Sequence, residues 1–397
     1  MSAAGSSGSG GVRFLNADIG GVATTLHVAG SRIATVSRSA ERGGLTLDMR
    51  GDRMLPGLIN AHDHLQLNSL PRIPYSGRCR NARDWIADVN RSLQIDSDFA
   101  ASAAASLEQR LLVGGMKNLL CGVTTAAHHD PLYPLLLSRH FPTRVLTDFG
   151  WAHSLQIDGD ERVRQSRERT PRDWPWIVHA AEGVDDAAAA EFERLEALGC
   201  IGPNTRIVHG VALDRSQQQR LLRAGGGLIW CPSSNFALFG ATARIDELVA
   251  RGAVALGTDS RLTGARDLLE EVRLARDLTR IDEAGIEALV TADAARLLRL
   301  GDRGALLAGF RADLLVLPAG MPLSRATRAD VRLVMIAGKA CYADHHYAAL
   351  LEPESHWAKV RVDGRPKVLS AAIAALLLGA GVIETGLELE RTSWRAA

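Results

Sequence analysis

Short apolar runs that alternate with segments of helical pattern limit the folds open to this chain. The runs are Met54 to Ala61, Val123 to Ala127, Arg144 to Trp151, Trp176 to Ala180, Thr205 to His209, Gly227 to Cys231 and Ala253 to Gly257. Helical patterns stand between or after them at Phe99 to Leu120, Asp185 to Leu198, Ser216 to Ala224 and Asp267 to Thr279. Runs this short and this apolar read as strands buried on both faces. Buried strands alternating with helices make a parallel sheet covered on both sides. With this many units, a closed (β/α)8 TIM barrel is the expected α/β architecture.

The ends of the chain read differently. Val22 to Val28 and Arg32 to Val36 are β-branched runs bounded by glycine, and similar runs return at Ala312 to Leu317 and Val331 to Gly338. The two ends are therefore expected to pair into one small β-sandwich domain. The expected organisation is a flexible leader (1–11), the first part of the β domain (12–54), the barrel (55–303), the second part of the β domain (304–345) and a C-terminal helical extension (346–397).

Composition removes several function classes. The 46 basic and 45 acidic residues leave a net charge of +1, with no basic stripe for nucleic acid or a membrane surface. The five cysteines are scattered and form no CxxC pair, which reads as reduced thiols in a cytoplasmic protein. The stretch from Met1 to Gly11 has no basic segment followed by an apolar one, so it is not read as a signal peptide. Val368 to Ile383 is shorter than the roughly 18 residues needed to cross a bilayer and reads as a packed helix.

The chemistry sits where the apolar runs end. One run leads into His62-Asp63-His64, two others end in His179 and His209, and another leads into Thr258-Asp259. In a barrel the C-terminal strand ends converge on one mouth, so groups distant in sequence meet there. Alternate residues of a strand share a side, so His62 and His64 can both face that mouth. Any one of these histidines alone reads more often as a structural or solvated side chain; together, in order, they read as a metal site. Imidazole with carboxylate suits Zn2+ or Fe2+ better than Mg2+ or Ca2+.

Pro56 to His64 closely resembles the first-strand motif of the amidohydrolase superfamily, and His179-Ala180-Ala181-Glu182 resembles the His-x-x-Glu motif of its deaminase-type branch. Val208 to Gly210, Cys231 to Asn235 and Leu256 to Ser260 are similar to later motifs of its triazine-hydrolase and adenosylhomocysteine-deaminase-like group. The resemblance implies one divalent ion, Zn2+ foremost with Fe2+ or Mn2+ as alternatives, bound by His62, His64, His179 and Asp259. It implies that the ion activates a water, that Asp259 also accepts a proton from it, and that Glu182 passes protons to the substrate. The plainer reading of Glu182 is that it only opens the acidic helix after it. The resemblance makes His209 a catalytic group that orients the water, with direct metal ligation as the alternative. A bridged two-metal centre is disfavoured because Thr124 to Asp130 holds no lysine.

Gln66, Asn68, His129, His153 and Asn235 are candidate substrate contacts, each with a loop hydrogen bond as its other reading. Trp85, Trp151 and Trp230 read as core. Arg78, Arg80 and Arg83 read as a solvated face. The expected activity is hydrolysis of a C–N bond, most simply deamination of an amino-substituted N-heterocycle. Ring or amide opening of imidazolonepropionase type and a non-catalytic scaffold are the rivals. The expected partner is a small nitrogen-rich molecule, with no nucleic acid and no membrane, in a homo-oligomer such as a homodimer. The stretch between His153 and His179 is short for a full βα unit, which predicts a distorted barrel or one very short strand.

Overall fold

In the computed structural model residues 11–39, 44–73 and 78–390 are described; most of the expected leader and the last seven residues of the chain, 391–397, lie outside them. The first strands are β1 (Val12–Ile19), β2 (Val22–Ala29), β3 (Arg32–Ser37), β4 (Leu45–Asp48) and β5 (Arg53–Pro56). Eight parallel-type strands follow: β6 (Leu58–Asp63), β7 (Val123–His128), β8 (Arg144–Val145), β9 (Gly150–Ser154), β10 (Trp176–Ala180), β11 (Thr205–His209), β12 (Gly227–Trp230) and β13 (Val254–Leu256). The chain then returns through β14 (Leu314–Leu317), β15 (Leu333–Ile336), β16 (Lys339–Ala343), β17 (Trp357–Val362), β18 (Arg365–Ser370) and β19 (Leu387–Leu389).

Both chain ends enter one sheet, ordered β19-β17-β18-β16-β15-β14-β5-β1-β2-β3, with β4 beside β1. The junction is the antiparallel pairing of β5 with β14, from Leu314 opposite Pro56 to Leu317 opposite Arg53. Phe14, Leu26, Leu47, Met54, Leu314 and Leu333 belong to the apolar core these strands share. Met54 to Ala61 is thus two strands: Gly57 separates β5, in this sheet, from β6. The tail corrects the expectation of a helical extension. It contributes β17, β18 and β19 as well as the helices His345–Leu351 and Ala371–Ala380. The alternating burial of Trp357–Val362 is a strand signal with one face covered.

The parallel strands carry the site. β6 and β10 to β13 are buried at every position, as strands packed on both sides must be. They form two ladders, β6-β7-β8 and β9-β10-β11-β12-β13. Across the seam between β6 and β13, the amides of Thr258 and Asp259 donate to the His62 carbonyl at 3.0 and 3.1 Å. Gly257 is obligatory on this seam, because a Cβ there would stand 2.6 Å from that of His62.

The short strand lies one unit earlier than the spacing predicts. Gly150 to Ala180 holds a complete unit: β9, the helix Leu155–Arg169 capped by the Ser154 side chain, and β10. The irregular unit is β8, which has two residues; only the turn Pro134–Leu137 precedes it and no helix separates it from β9. Phe99 to Leu120 is also divided, into Ser97–Ala103 and Leu107–Leu120. The second helix starts on a capping box between Ser106 and Gln109, which satisfies the free amides of its first turn. No helix among the described residues is long and apolar enough to cross a membrane.

Candidate active site

Three imidazole nitrogens meet beside the β6–β13 seam. His179 Nε2 lies 3.2 Å from His62 Nε2 and 3.4 Å from His64 Nε2. Asp259 Oδ1 lies 3.8 Å from both His62 Nε2 and His64 Nε2. All four side chains are nearly enclosed. β6 shifts register against β7 between Asn60 and Asp63, the place where His62 stands, and such irregularities re-aim side chains next to sites.

Hydrogen bonds aim these groups. The Asp259 Oδ2 atom accepts from the hydroxyls of Ser234 and Thr263 at 2.7 and 2.8 Å, which turns Oδ1 toward the histidines. His179 Nδ1–H donates to the His153 carbonyl at 2.8 Å, and His64 Nδ1–H donates to Asp130 Oδ2 at 2.6 Å. With Nδ1 protonated and committed, each Nε2 presents its lone pair inward, the usual outer support of a metal-binding histidine. This donor set fits a Zn2+-class cation: three neutral imidazole nitrogens and one carboxylate oxygen in a buried pocket.

Burial, then the neighbouring imidazoles, pushes the pKa of His62 and of His179 well below the ordinary histidine value. His64 differs. Burial opposes its protonation, but the charge and hydrogen bond of Asp130, with Asp259 and Asp63 behind, raise its pKa to about 9. A cation entering the pocket must displace that proton. Asp130 is buried, which favours its neutral form, yet His64 and the hydrogen bonds from His153 and Gln66 hold its carboxyl well below the usual range.

A second pair stands beside the cluster. His209 Nε2 is 3.8 Å from Glu182 Oε1, and the Glu182 side chain is 7% exposed, so solvent does little to screen the pair. Burial, reinforced by the charge of Asp259, raises the Glu182 pKa, although His209 and the Trp85 hydrogen bond pull the other way. His209 Nδ1–H donates to Asn235 Oδ1 at 2.8 Å, leaving Nε2 facing Glu182. Ala181, His209 and Asp259 all have left-handed φ angles, of 52°, 71° and 53°. For non-glycine residues that conformation costs free energy and gathers at functional sites.

The expected contacts fall in different places. Gln66 joins the partner of His64, its Nε2–H donating to Asp130 at 2.7 Å, and His153 Nε2 lies 3.4 Å from the other oxygen of Asp130. Asn68 does not. It is 2% exposed and lies beneath the site, where its carboxamide joins Lys117 and Asp63, because the short turn Leu65–Leu67 folds it inward. Asn235 is fully buried, and its Oδ1 accepts from His209. His129 packs among the metal-competent imidazoles: donor atoms of His62, His64, His129 and His179 all lie within 4.8 Å of one another.

Sequence reasoning missed three supports. Trp85, read as core, donates its Nε1–H to Glu182 Oε1 at 2.9 Å. Glu191 accepts from the Ala181 amide at 2.8 Å and fixes the turn before Glu182; burial raises its own pKa to about 7. Lys117, fully buried in the helix Leu107–Leu120, reaches under the seam to Asp63. Only the last had a visible signal, a lysine on the apolar face of a helical pattern.

A model of the amidohydrolase family matches residues 84–342, more than half of the 397-residue chain. The chain belongs to the amidohydrolase family. It is accordingly a metal-dependent hydrolase acting on C–N bonds, of α/β architecture with a histidine-rich metal-binding site. This amidohydrolase is 36% identical over 341 residues to an 8-oxoguanine deaminase of Pseudomonas aeruginosa, covering 66% of this chain and 73% of that one. It is 33% identical over 381 residues to a 5-methylthioadenosine/S-adenosylhomocysteine deaminase of Pelotomaculum thermopropionicum, covering 79% and 87%. In three dimensions it is similar to an adenosine deaminase from Xanthomonas campestris solved with bound zinc, with a TM-score of 0.67, 18% identity and coverage of 94% and 96%.

Proposed function

We propose that this amidohydrolase deaminates an amino-substituted N-heterocycle of the aminopurine kind, with one zinc ion held by His62, His64, His179 and Asp259. The observation that carries the reading is the placement of Glu182 and His209, 3.8 Å apart and buried, beside the three inward Nε2 atoms. Hydrolysis of an aminated ring carbon needs an activated water on that carbon and a proton on the adjacent ring nitrogen, then one on the departing amine. His62, His64, His179 and Asp259 would hold a divalent ion, which would meet the first need by lowering the pKa of water toward neutrality.

The side chains supply the rest. Asp259 Oδ1, freed by the two hydroxyls on Oδ2, accepts a proton from the attacking water. His209 Nε2 takes part in holding that water, because Asn235 fixes its ring. Glu182 carries a proton to the ring nitrogen and then to the leaving amine. Its raised pKa keeps the carboxyl protonated closer to neutrality than a free glutamate, as a proton donor requires. The relatives named above act, by their names, on 8-oxoguanine and on 5-methylthioadenosine or S-adenosylhomocysteine. The five free cysteines, four of them buried, fit a reducing compartment such as the cytoplasm.

The test is a screen of aminopurines and their nucleosides, with released ammonia measured beside the product mass. Deamination predicts one ammonia per turnover and a product in which an amino group is replaced by oxygen. A product that gains water and keeps every nitrogen would mean ring opening and would contradict this reading.

A further inference from the structure

Among the described residues His62, unlike His64 and His179, has no carboxylate or carbonyl partner for its Nδ1. That atom faces Nδ1 of His129 at 3.3 Å. His129 is 1% exposed, and its Nε2 lies 2.9 Å from the Ala152 carbonyl oxygen. Its backbone amide donates to the Asp63 carbonyl at 3.0 Å, which fixes the residue against β6. The ring stacks on His179 at 4.4 Å with an interplanar angle of 4° and meets Trp151 edge-on at 5.4 Å, so its orientation is fixed from two sides.

The protons follow from these partners. A carbonyl oxygen only accepts, so His129 carries its proton on Nε2. A neutral imidazole has one such proton, so its Nδ1 is an acceptor. The two partners of the ring are a carbonyl oxygen and a second imidazole nitrogen, and one proton on each imidazole satisfies both contacts. His62 must then carry its proton on Nδ1. Its Nε2 is left bare, facing His179 and Asp259.

We infer that His129 is a positioning residue: it relays the Ala152 carbonyl through two imidazoles and locks His62 in the tautomer that binds a cation. The inference rests on the metal reading given above. It assigns His129 to neither the substrate nor the ion. With its Nδ1 accepting from His62 and its Nε2–H given to Ala152, His129 has no lone pair left for the ion.

The experiment uses the full chain and Zn2+ alone. Zinc affinity is measured by competition with a chromophoric chelator for the wild type, His129→Leu and His129→Asn. Loss of a partner of this kind weakens metal binding by about 10–100-fold, and that is expected of His129→Leu. His129→Asn, which keeps an oxygen acceptor near the Nδ1 position, is expected to stay close to wild type. X-ray absorption of the zinc-loaded wild type should count three imidazoles. Long-range 15N–1H spectra of histidine-labelled protein should place the His129 proton on Nε2, a result that does not depend on either variant folding. Wild-type affinity in both variants, four imidazoles on zinc, or a His129 proton on Nδ1 would each overturn the relay while leaving the metal site intact. A wild type that binds no zinc would remove the metal reading itself, and the relay with it.

Discussion

Glu182→Gln is expected to lower turnover by about 10²–10⁴-fold, the usual worth of a positioned acid–base group, while leaving metal content unchanged. The two effects separate because of where the side chain stands. Among the described residues the hydrogen-bond and ion-pair partners of Glu182 are Trp85 and His209, so a neutral isostere breaks no contact with a proposed metal ligand. A glutamine oxygen still accepts from the Trp85 indole, so the pocket keeps its shape. What is lost is a proton that can be given and retaken. The raised pKa of Glu182 has a direction that can be checked. Burial, then Asp259, favours the protonated form, so its limb in the pH–rate profile should lie above that of an ordinary glutamate. Turnover close to wild type in Glu182→Gln would remove Glu182 from the proton path.

Lys117→Met is expected to cost about 3–5 kcal/mol, the range for stripping one partner from a buried ion pair. Lys117 and Asp63 have side chains with no exposure at all, and Nζ lies 3.3 Å from Asp63 Oδ2. Nζ also donates to Asn68 Oδ1 at 2.7 Å and Thr258 Oγ1 at 2.8 Å, while Asn118 Nδ2 donates to Asp63 at 2.8 Å. Methionine fills a similar volume, so the loss is electrostatic rather than a cavity: the Asp63 carboxylate is left buried without its ion-pair partner. Adding Asp63→Asn removes that stranded charge, so the double variant should recover part of the loss. Urea unfolding of the single and double variants measures it. A Lys117→Met chain as stable as wild type would show that the pair contributes nothing to holding the seam.

Much of this was legible because alternating strands and helices repeat one pattern. Each strand buried on both faces is a short apolar run, and a polar residue at its end stands out. His62, His64, His179, His209 and Asp259 could be found this way, and Glu182 through the resemblance of the stretch from His179 to Glu182 to a His-x-x-Glu motif. What surrounds them could not. Trp85 and Glu182 are brought together by the helix Ala82–Ile95 folding over the mouth, a tertiary contact with no spacing signature. For Asn68 and Asn235 the sequence leaves a substrate contact and a loop hydrogen bond both open, and only the fold shows that each is buried in hydrogen bonds to its neighbours, Asn68 to Lys117 and Asp63 and Asn235 to His209. The tail was read as helical from the apolar run after Val368. The strands before it are distinguished only by their alternation, and their pairing partner β16 is contributed by a separate stretch.

Metal content by elemental analysis, on protein purified without added metal and again after zinc reconstitution, tests the central claim most directly. The account predicts about one zinc per chain, as a mononuclear catalytic site holds, with both metal and turnover lost in His62→Ala and Asp259→Ala. No metal even after reconstitution, or full turnover in either variant, would contradict it.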